Sequence, residues 1–217
     1  MRQRQQKRLG RKFDTANQTQ EIASELVKRK KLNPRDLVPF RALTDGQQDF
    51  IDLFNQNVKL ISLHGCAGTG KTVCALAMAL KDVFDETTPY EKVVIVRSTV
   101  EVRGMGFLPG DMEEKTDVYK LPYKQLLSEL MRFNDPYEMA ESLGYIEFVP
   151  TAFIRGTTFN NSIVIVDECE NMDYSELAAV VTRTGINSRA IFIGDDAQSD
   201  LFRIRQQSGF KQFREVL

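Results

Sequence analysis

Residues 65–72 read Gly-Cys-Ala-Gly-Thr-Gly-Lys-Thr and sit between two apolar runs, Val58 to Leu63 on one side and Thr72 to Leu80 on the other. They match the spacing G-x-x-x-x-G-K-[ST] in full. Each position has a physical reason. Glycines at Gly65, Gly68 and Gly70 tolerate positive φ, which turns successive N–H groups toward one point, and the helix that follows adds the partial positive charge of its N-terminus. Lys71 can reach the β and γ phosphates of a nucleotide, and the Thr72 hydroxyl can ligate magnesium. Cys66, Ala67 and Thr69 complete the cradle. At average composition such an octapeptide arises by chance in roughly one per cent of chains this long, so an ordinary glycine-rich turn is the weaker reading. Strand, loop and helix in that order commit the chain to an α/β fold.

The rest of the chain agrees. Further short β-rich runs occur at 92–96, 145–149, 162–166 and 190–193, separated by stretches compatible with helix. Continuous apolar strands alternating with helices predict a parallel sheet covered by helices on both faces. A helix is predicted over 19–31, and another from Thr44, capped by Thr44 or Asp45, with Phe50, Ile51, Leu53 and Phe54 as its apolar stripe. The connection from Arg97 to Gly144 holds Gly104, Gly106, Pro109, Gly110 and Pro122, which predicts an excursion of loop and helix rather than a core strand.

Two carboxylates end the run Ile163 to Val166. There Asp167 would hold magnesium, usually through water, and Glu168 would polarise an attacking water, the mark of a hydrolase rather than a kinase. Acids after a buried strand are a weak signal alone; beside a phosphate cradle they become a strong one. Gly194 to Asp200 follows the last run and can place Gln198 beside a γ phosphate, to orient water or to report that phosphate, although a turn rich in Asp and Gly has the same composition.

Composition narrows the class. Hydrophobic residues make up 42% and charged residues 27%, enough for a packed core. No apolar run approaches the roughly 20 residues that span a bilayer, and the first ten residues lack the apolar stretch of a secretory signal, so a cytoplasmic protein without a membrane partner is expected. The three cysteines, Cys66, Cys74 and Cys169, have no metal-ligand spacing and suggest reduced thiols. Residues 1–31 carry ten Lys/Arg against three Asp/Glu, a surplus of +7 set against −8 for the remainder, which together give the net −1. We treat 1–31 as a basic N-terminal arm and 32–217 as the NTPase domain. The arm either pairs with nucleic-acid phosphates through counterion release or is a solvated tail.

The three motifs, with Gly106-Phe107-Leu108-Pro109-Gly110-Asp111 and Arg155-Gly156-Thr157-Thr158-Phe159-Asn160-Asn161, closely resemble the PhoH family of P-loop ATPases over about Arg41 to Phe210, in the short form found in bacteria and their phages. The resemblance implies a RecA-like core related to the first core of superfamily 1 helicases. It also implies ring assembly, with a hexamer as the expected size, and ATP hydrolysis with Mg2+ directed at single-stranded RNA or DNA. By position, Gln47 resembles the glutamine that reads adenine, and Arg97, Arg155 and Arg183 correspond to arginines that face phosphate, nucleic acid or a neighbouring subunit. The sequence departs from the family at Cys66, where proline is usual, at Cys169-Glu170, where Ala-Gln is usual, and at Thr157, where arginine is usual. The family also continues past the position of Leu217 into a segment with another arginine for work across a subunit boundary. Two other functions use the same cradle: transfer of phosphate to a small molecule, and a nucleotide switch on a nucleic-acid-binding scaffold.

Overall fold

The β-branched runs form five strands of one all-parallel sheet in a computed structural model that describes residues 31–98, 112–195 and 209–216. In chain order the elements are α1 (Asp45–Asn55), β1 (Leu60–His64), α2 (Lys71–Val83), β2 (Lys92–Arg97), α3 (Met112–Leu130), α4 (Pro136–Ser142), β3 (Ile146–Pro150), β4 (Ser162–Asp167), α5 (Tyr174–Arg183), β5 (Arg189–Gly194) and α6 (Phe210–Arg214). The helix expected over 19–31 and the segment Gly106–Asp111 lie outside the described residues, apart from Lys31.

The strand order is β1-β5-β4-β2-β3. Register is fixed at Ile61 opposite Ile191, Val164 opposite Ala190, Val93 opposite Ile163 and Val93 opposite Ile146. Side chains alternate between the faces. Val93, Ile95, Ile163, Ile165, Ile191 and Ile193 enter one core with the buried residues of α1, α2, α3 and α4, while Val94, Val96, Val164, Val166 and Phe192 enter a second core with Leu177, Val180, Phe210 and Phe213 of α5 and α6. Because both faces are covered, the central strands are apolar throughout. This is the predicted α/β, RecA-like architecture.

Local chemistry explains the helices that carry the site. Thr44 caps α1, its Oγ1 accepting the Gln47 N–H at 3.3 Å, and Phe50 and Phe54 one turn apart are buried. Residues Cys74 to Leu80 of α2 are all buried, and their alternation of Ala with Leu and Met lets this helix lie close over the sheet. Its N-cap, Gly70, has φ 79° and offers no side-chain acceptor, so the first N–H groups of α2 point outward uncapped. In α5 the Asp173 and Glu176 side chains form a reciprocal capping box.

Pro122 does not end a helix. α3 runs through it, with Tyr123, Leu127 and Leu130 on the buried face. Pro122 itself is exposed, so the carbonyl its ring leaves without an N–H partner faces the water side, where solvent can satisfy it. Among the described residues no helix is long and apolar enough to cross a membrane.

Where the chain re-enters α6, Gly209 lies against the α5 cap: a Cβ there would stand 2.1 Å from the Tyr174 backbone N and 2.6 Å from the Asp173 carbonyl carbon. Backbone cannot yield as a side chain does. Gly209→Ala is expected to lower stability by about 1–3 kcal/mol, read as a lower urea midpoint at unchanged slope. An unchanged midpoint would show that α6 is not held against α5 as described.

Candidate nucleotide site

The phosphate-loop residues, Asp167, Glu168 and Arg97 gather at the carboxyl ends of the strands. β1 runs into the glycine-rich loop, β2 ends on Arg97, β4 ends on Asp167 and β5 ends on Gly194. β5 lies between β1 and β4, so the loop and the acids are one strand apart.

The loop is exposed and internally bonded. The Lys71 ammonium donates to the Gly65 and Cys66 carbonyl oxygens at 2.7 and 2.8 Å, and the Thr69 hydroxyl donates to the Cys66 oxygen at 2.9 Å. Gly68 and Gly70 take φ of 76° and 79°, the left-handed region that a side chain would resist. Gln47 clamps the loop from outside. Its Oε1 accepts the Leu43 N–H at 2.8 Å and its Nε2 donates to the Thr69 oxygen at 2.9 Å. A carboxamide has two donors and two lone pairs, so one of each remains for another group.

Across β5, the Thr72 hydroxyl donates to Asp167 Oδ1 at 3.2 Å. Asp167 is buried, and its oxygens are filled by separate donors. Oδ1 also accepts the Glu168 N–H at 3.1 Å, and Oδ2 accepts the Tyr123 hydroxyl at 2.9 Å. Burial pushes its pKa above the ordinary carboxylate range, a shift that the Tyr123, Arg97 and Thr72 contacts oppose. Glu168 follows with φ 54° and ψ 47°, a left-handed turn that takes it out of the strand's alternation. Its Oε1 is paired with the Arg97 guanidinium, and its Oε2 accepts from Asn171 at a long 3.4 Å.

Thr72 and Asp167 fit a hard cation. Both offer oxygen, and among the described residues no group of three His, Cys, Asp or Glu gathers into an all-protein cage. Magnesium is suited to this pattern, since it takes one or two protein oxygens beside phosphate and water.

Of the three arginines, the structure brings only Arg97 to the acids. Arg155 is exposed after β3, near enough to the α5 cap to act on Asp173, whose pKa is lowered chiefly by Ser175 and the Glu176 N–H. Arg183 closes α5, which descends to the opposite end of the sheet, and its Nη1 donates to the Thr157 oxygen at 3.5 Å. Gln198 lies outside the described residues. Cys66 is exposed on the loop, whereas Cys74 and Cys169 are buried. Burial lifts the Cys74 thiol to about 11, and burial with Asp167 and Glu170 nearby holds the Cys169 thiol well above its ordinary value.

Sequence reasoning missed two contacts. Tyr123 falls within the connection from Arg97 to Gly144, where nothing in the sequence marks its hydroxyl. Glu170 looks like a surface acid in Asp-Glu-Cys-Glu, yet it is buried and its Oε2 accepts the Asp195 N–H at 3.0 Å, tying the turn after β4 to the end of β5.

A cradle of N–H groups, a lysine, and a hydroxyl facing a strand-end aspartate define a P-loop NTPase with a RecA-like core. The PhoH-like protein family model matches residues 39–217. The chain therefore belongs to the PhoH family, whose members are in general P-loop ATPases. It is 32% identical over 208 residues to a PhoH-like protein of Synechocystis sp., covering 94% of this chain and 61% of that protein. It is 33% identical over 178 residues to a PhoH-like protein of Bacillus subtilis, covering 82% and 54%, and 34% identical over 164 residues to one of Mycobacterium tuberculosis, covering 74% and 45%. The chain thus spans about half the length of these relatives.

Burial raises the Glu170 pKa from 4.5 to about 7. A carboxyl that holds its proton more tightly when folded contributes most below its unfolded pKa, and that contribution is lost as pH rises through about 7. Glu170→Gln keeps an acceptor for Asp195 and carries no charge. Relative to the unsubstituted chain it is expected to melt roughly 2–6 °C higher at pH 8 and to show little difference at pH 5. An equal difference at both pH values would rule out titration of Glu170 in that window.

Proposed function

We propose that the chain binds ATP with magnesium at residues 65–72, hydrolyses it, and couples hydrolysis to binding or remodelling of single-stranded RNA or DNA as one subunit of a ring, with a hexamer the expected size. The observation that carries the reading is the Thr72 hydroxyl facing Asp167 Oδ1 at 3.2 Å, with Glu168 immediately beyond. A phosphate-side hydroxyl, a metal-side carboxylate and a base are the three groups that cleavage of a γ phosphate requires at one place.

Lys71 exchanges the Gly65 and Cys66 carbonyls for β- and γ-phosphate oxygens, a stronger acceptor for an ammonium. The uncapped N–H groups of α2 and the loop surround the phosphates. Thr72 and Asp167 would hold magnesium, which when bound neutralises charge on the phosphate oxygens. Glu168 is oriented through Oε1 by Arg97, and Oε2, beside its long contact with Asn171, retains a lone pair for the proton of an attacking water. Gln47 retains one donor and one acceptor, matching the amino group and ring nitrogen of an adenine edge. Gln198, which follows β5 in sequence, would orient that water or report the γ phosphate.

Nucleic acid is suited to the basic arm and to the turn after β3, where Phe153 is 51% exposed and Arg155 is exposed two residues on. An aromatic ring beside a guanidinium offers stacking and phosphate pairing together. A helicase site is completed between two RecA-like cores, and in the proposed ring an adjoining subunit would supply the second, with Arg155 and Arg183 as candidates for contact between subunits or with nucleic acid.

Phosphate release, measured with and without single-stranded RNA or DNA at controlled salt and with oligomeric state recorded, tests the reading. Release without an acceptor and stimulation by a single strand are expected. Dependence on a small-molecule acceptor would instead indicate a phosphotransferase, and very slow turnover with tight, salt-sensitive binding would indicate a switched scaffold. Lys71→Ala is expected to abolish tight ATP binding or turnover; near-normal hydrolysis would sink the assignment. Glu168→Gln should retain Mg-ATP while slowing turnover by about 10²-fold or more. Deleting residues 1–12, which carry six Lys/Arg and no Asp or Glu, should leave ATP affinity unchanged and flatten the salt dependence of nucleic-acid binding. An unchanged slope would make the arm a solubilising tail.

A further inference from the structure

We infer that Tyr123 is a positioning residue for Asp167, its hydroxyl holding the carboxylate in the orientation that presents Oδ1 to Thr72. The inference rests on the reading of Thr72 and Asp167 as the magnesium side of an ATP site.

Tyr123 is wholly buried, on the face of α3 that also carries Leu127 and Leu130. A buried tyrosine hydroxyl needs a partner. This one donates across 44 positions of sequence to Asp167 Oδ2 at 2.9 Å, between two side chains that are both buried. The other oxygen takes the Thr72 hydroxyl and the Glu168 N–H. The two oxygens are therefore not interchangeable. With Oδ2 anchored to α3, rotation of the carboxylate is blocked and Oδ1 stays turned toward the phosphate side.

The hydroxyl does this separately from the ring. The ring packs against Phe148 at 5.9 Å between centroids and fills the core between α3 and the sheet, which a phenylalanine would do as well. One turn earlier, the Tyr119 ring lies 5.9 Å from the Arg97 guanidinium, which in turn holds Glu168. α3 thus reaches both acids, Asp167 directly and Glu168 through Arg97.

The test is Tyr123→Phe in the full chain. Binding of a fluorescent ATP analogue is measured in EDTA and across a magnesium titration, with thermal unfolding recorded without metal. Expected are a melting temperature lowered by about a few degrees, since the buried Oδ2 loses its donor, affinity in EDTA unchanged within about twofold, and a magnesium concentration for half-maximal tight binding raised about tenfold, the scale seen when an outer hydrogen-bond partner of a ligand is lost. Leu127→Val, which loosens the same helix face and keeps the hydroxyl, should lower the melting temperature and leave the magnesium half-point in place. The inference is overturned if the half-point of Tyr123→Phe is unchanged or lowered, if Leu127→Val moves it equally, or if Tyr123→Phe does not fold. Failure of the underlying reading looks different: the unsubstituted chain itself would show no magnesium-dependent nucleotide binding.

Discussion

Asp167 is a carboxylate removed from water at the end of a central strand, and the arrangement of the site follows from how its charge is accommodated. Taking such a group out of solvent without partners costs several kcal/mol. Here the cost is offset by donors from three directions: Thr72 from α2, Tyr123 from α3 and the N–H of Glu168. Three elements distant in sequence are thereby tied to one atom pair. α2 cannot shift without moving the glycine-rich loop, and α3 cannot shift without moving the acids. The Glu168 backbone takes a left-handed conformation to donate to its neighbour, and its own carboxylate is then held by Arg97 from the adjacent strand.

What could be read in the sequence is what local chemistry decides. The strands were legible because both of their faces are buried, leaving uninterrupted β-branched runs. The phosphate loop was legible because positive φ at Gly68 and Gly70 demands glycine, and because a lysine and a hydroxyl must follow at fixed offsets. The Thr44 cap was legible for the same kind of reason. Strand order was not, since nothing in the runs records that β5 inserts between β1 and β4. Nor was the route through Pro122, where continuation of the helix depends on which face meets solvent.

The contacts that escaped the sequence are tertiary and polar. Tyr123 has the spacing of a core residue whatever its hydroxyl does. Arg97 could face phosphate, nucleic acid or a neighbouring subunit on sequence grounds, and the fold pairs it with Glu168. Arg189 is a further case. It opens β5 one residue before the apolar run expected there, and it is buried, with its guanidinium 4.1 Å from the Phe54 ring centroid and donating to the Phe54 oxygen, the Tyr90 hydroxyl and Asn57. An arginine at a strand start normally reads as surface. Only the convergence of α1 with the turn before β2 supplies enough acceptors to bury it.

The bonds within the phosphate loop bear on how such a site responds to a nucleotide. Lys71 is held by two loop carbonyls and Gln47 by one N–H and one carbonyl, so neither is a loose side chain awaiting a partner. Their restriction means that less rotamer entropy remains to be lost on binding. The two differ in what they must give up. Lys71 bonds both loop carbonyls through one ammonium, and in the proposed complex it would exchange these neutral acceptors for anionic ones, a gain in strength per bond. Gln47 has spare capacity on both ends of its amide and can engage a base edge while still clamping Thr69, and through it the loop. In the proposed complex, base and phosphate contacts would be linked through the Gln47–Thr69 bond, because a base seated on Gln47 would hold the same loop whose carbonyls Lys71 bonds.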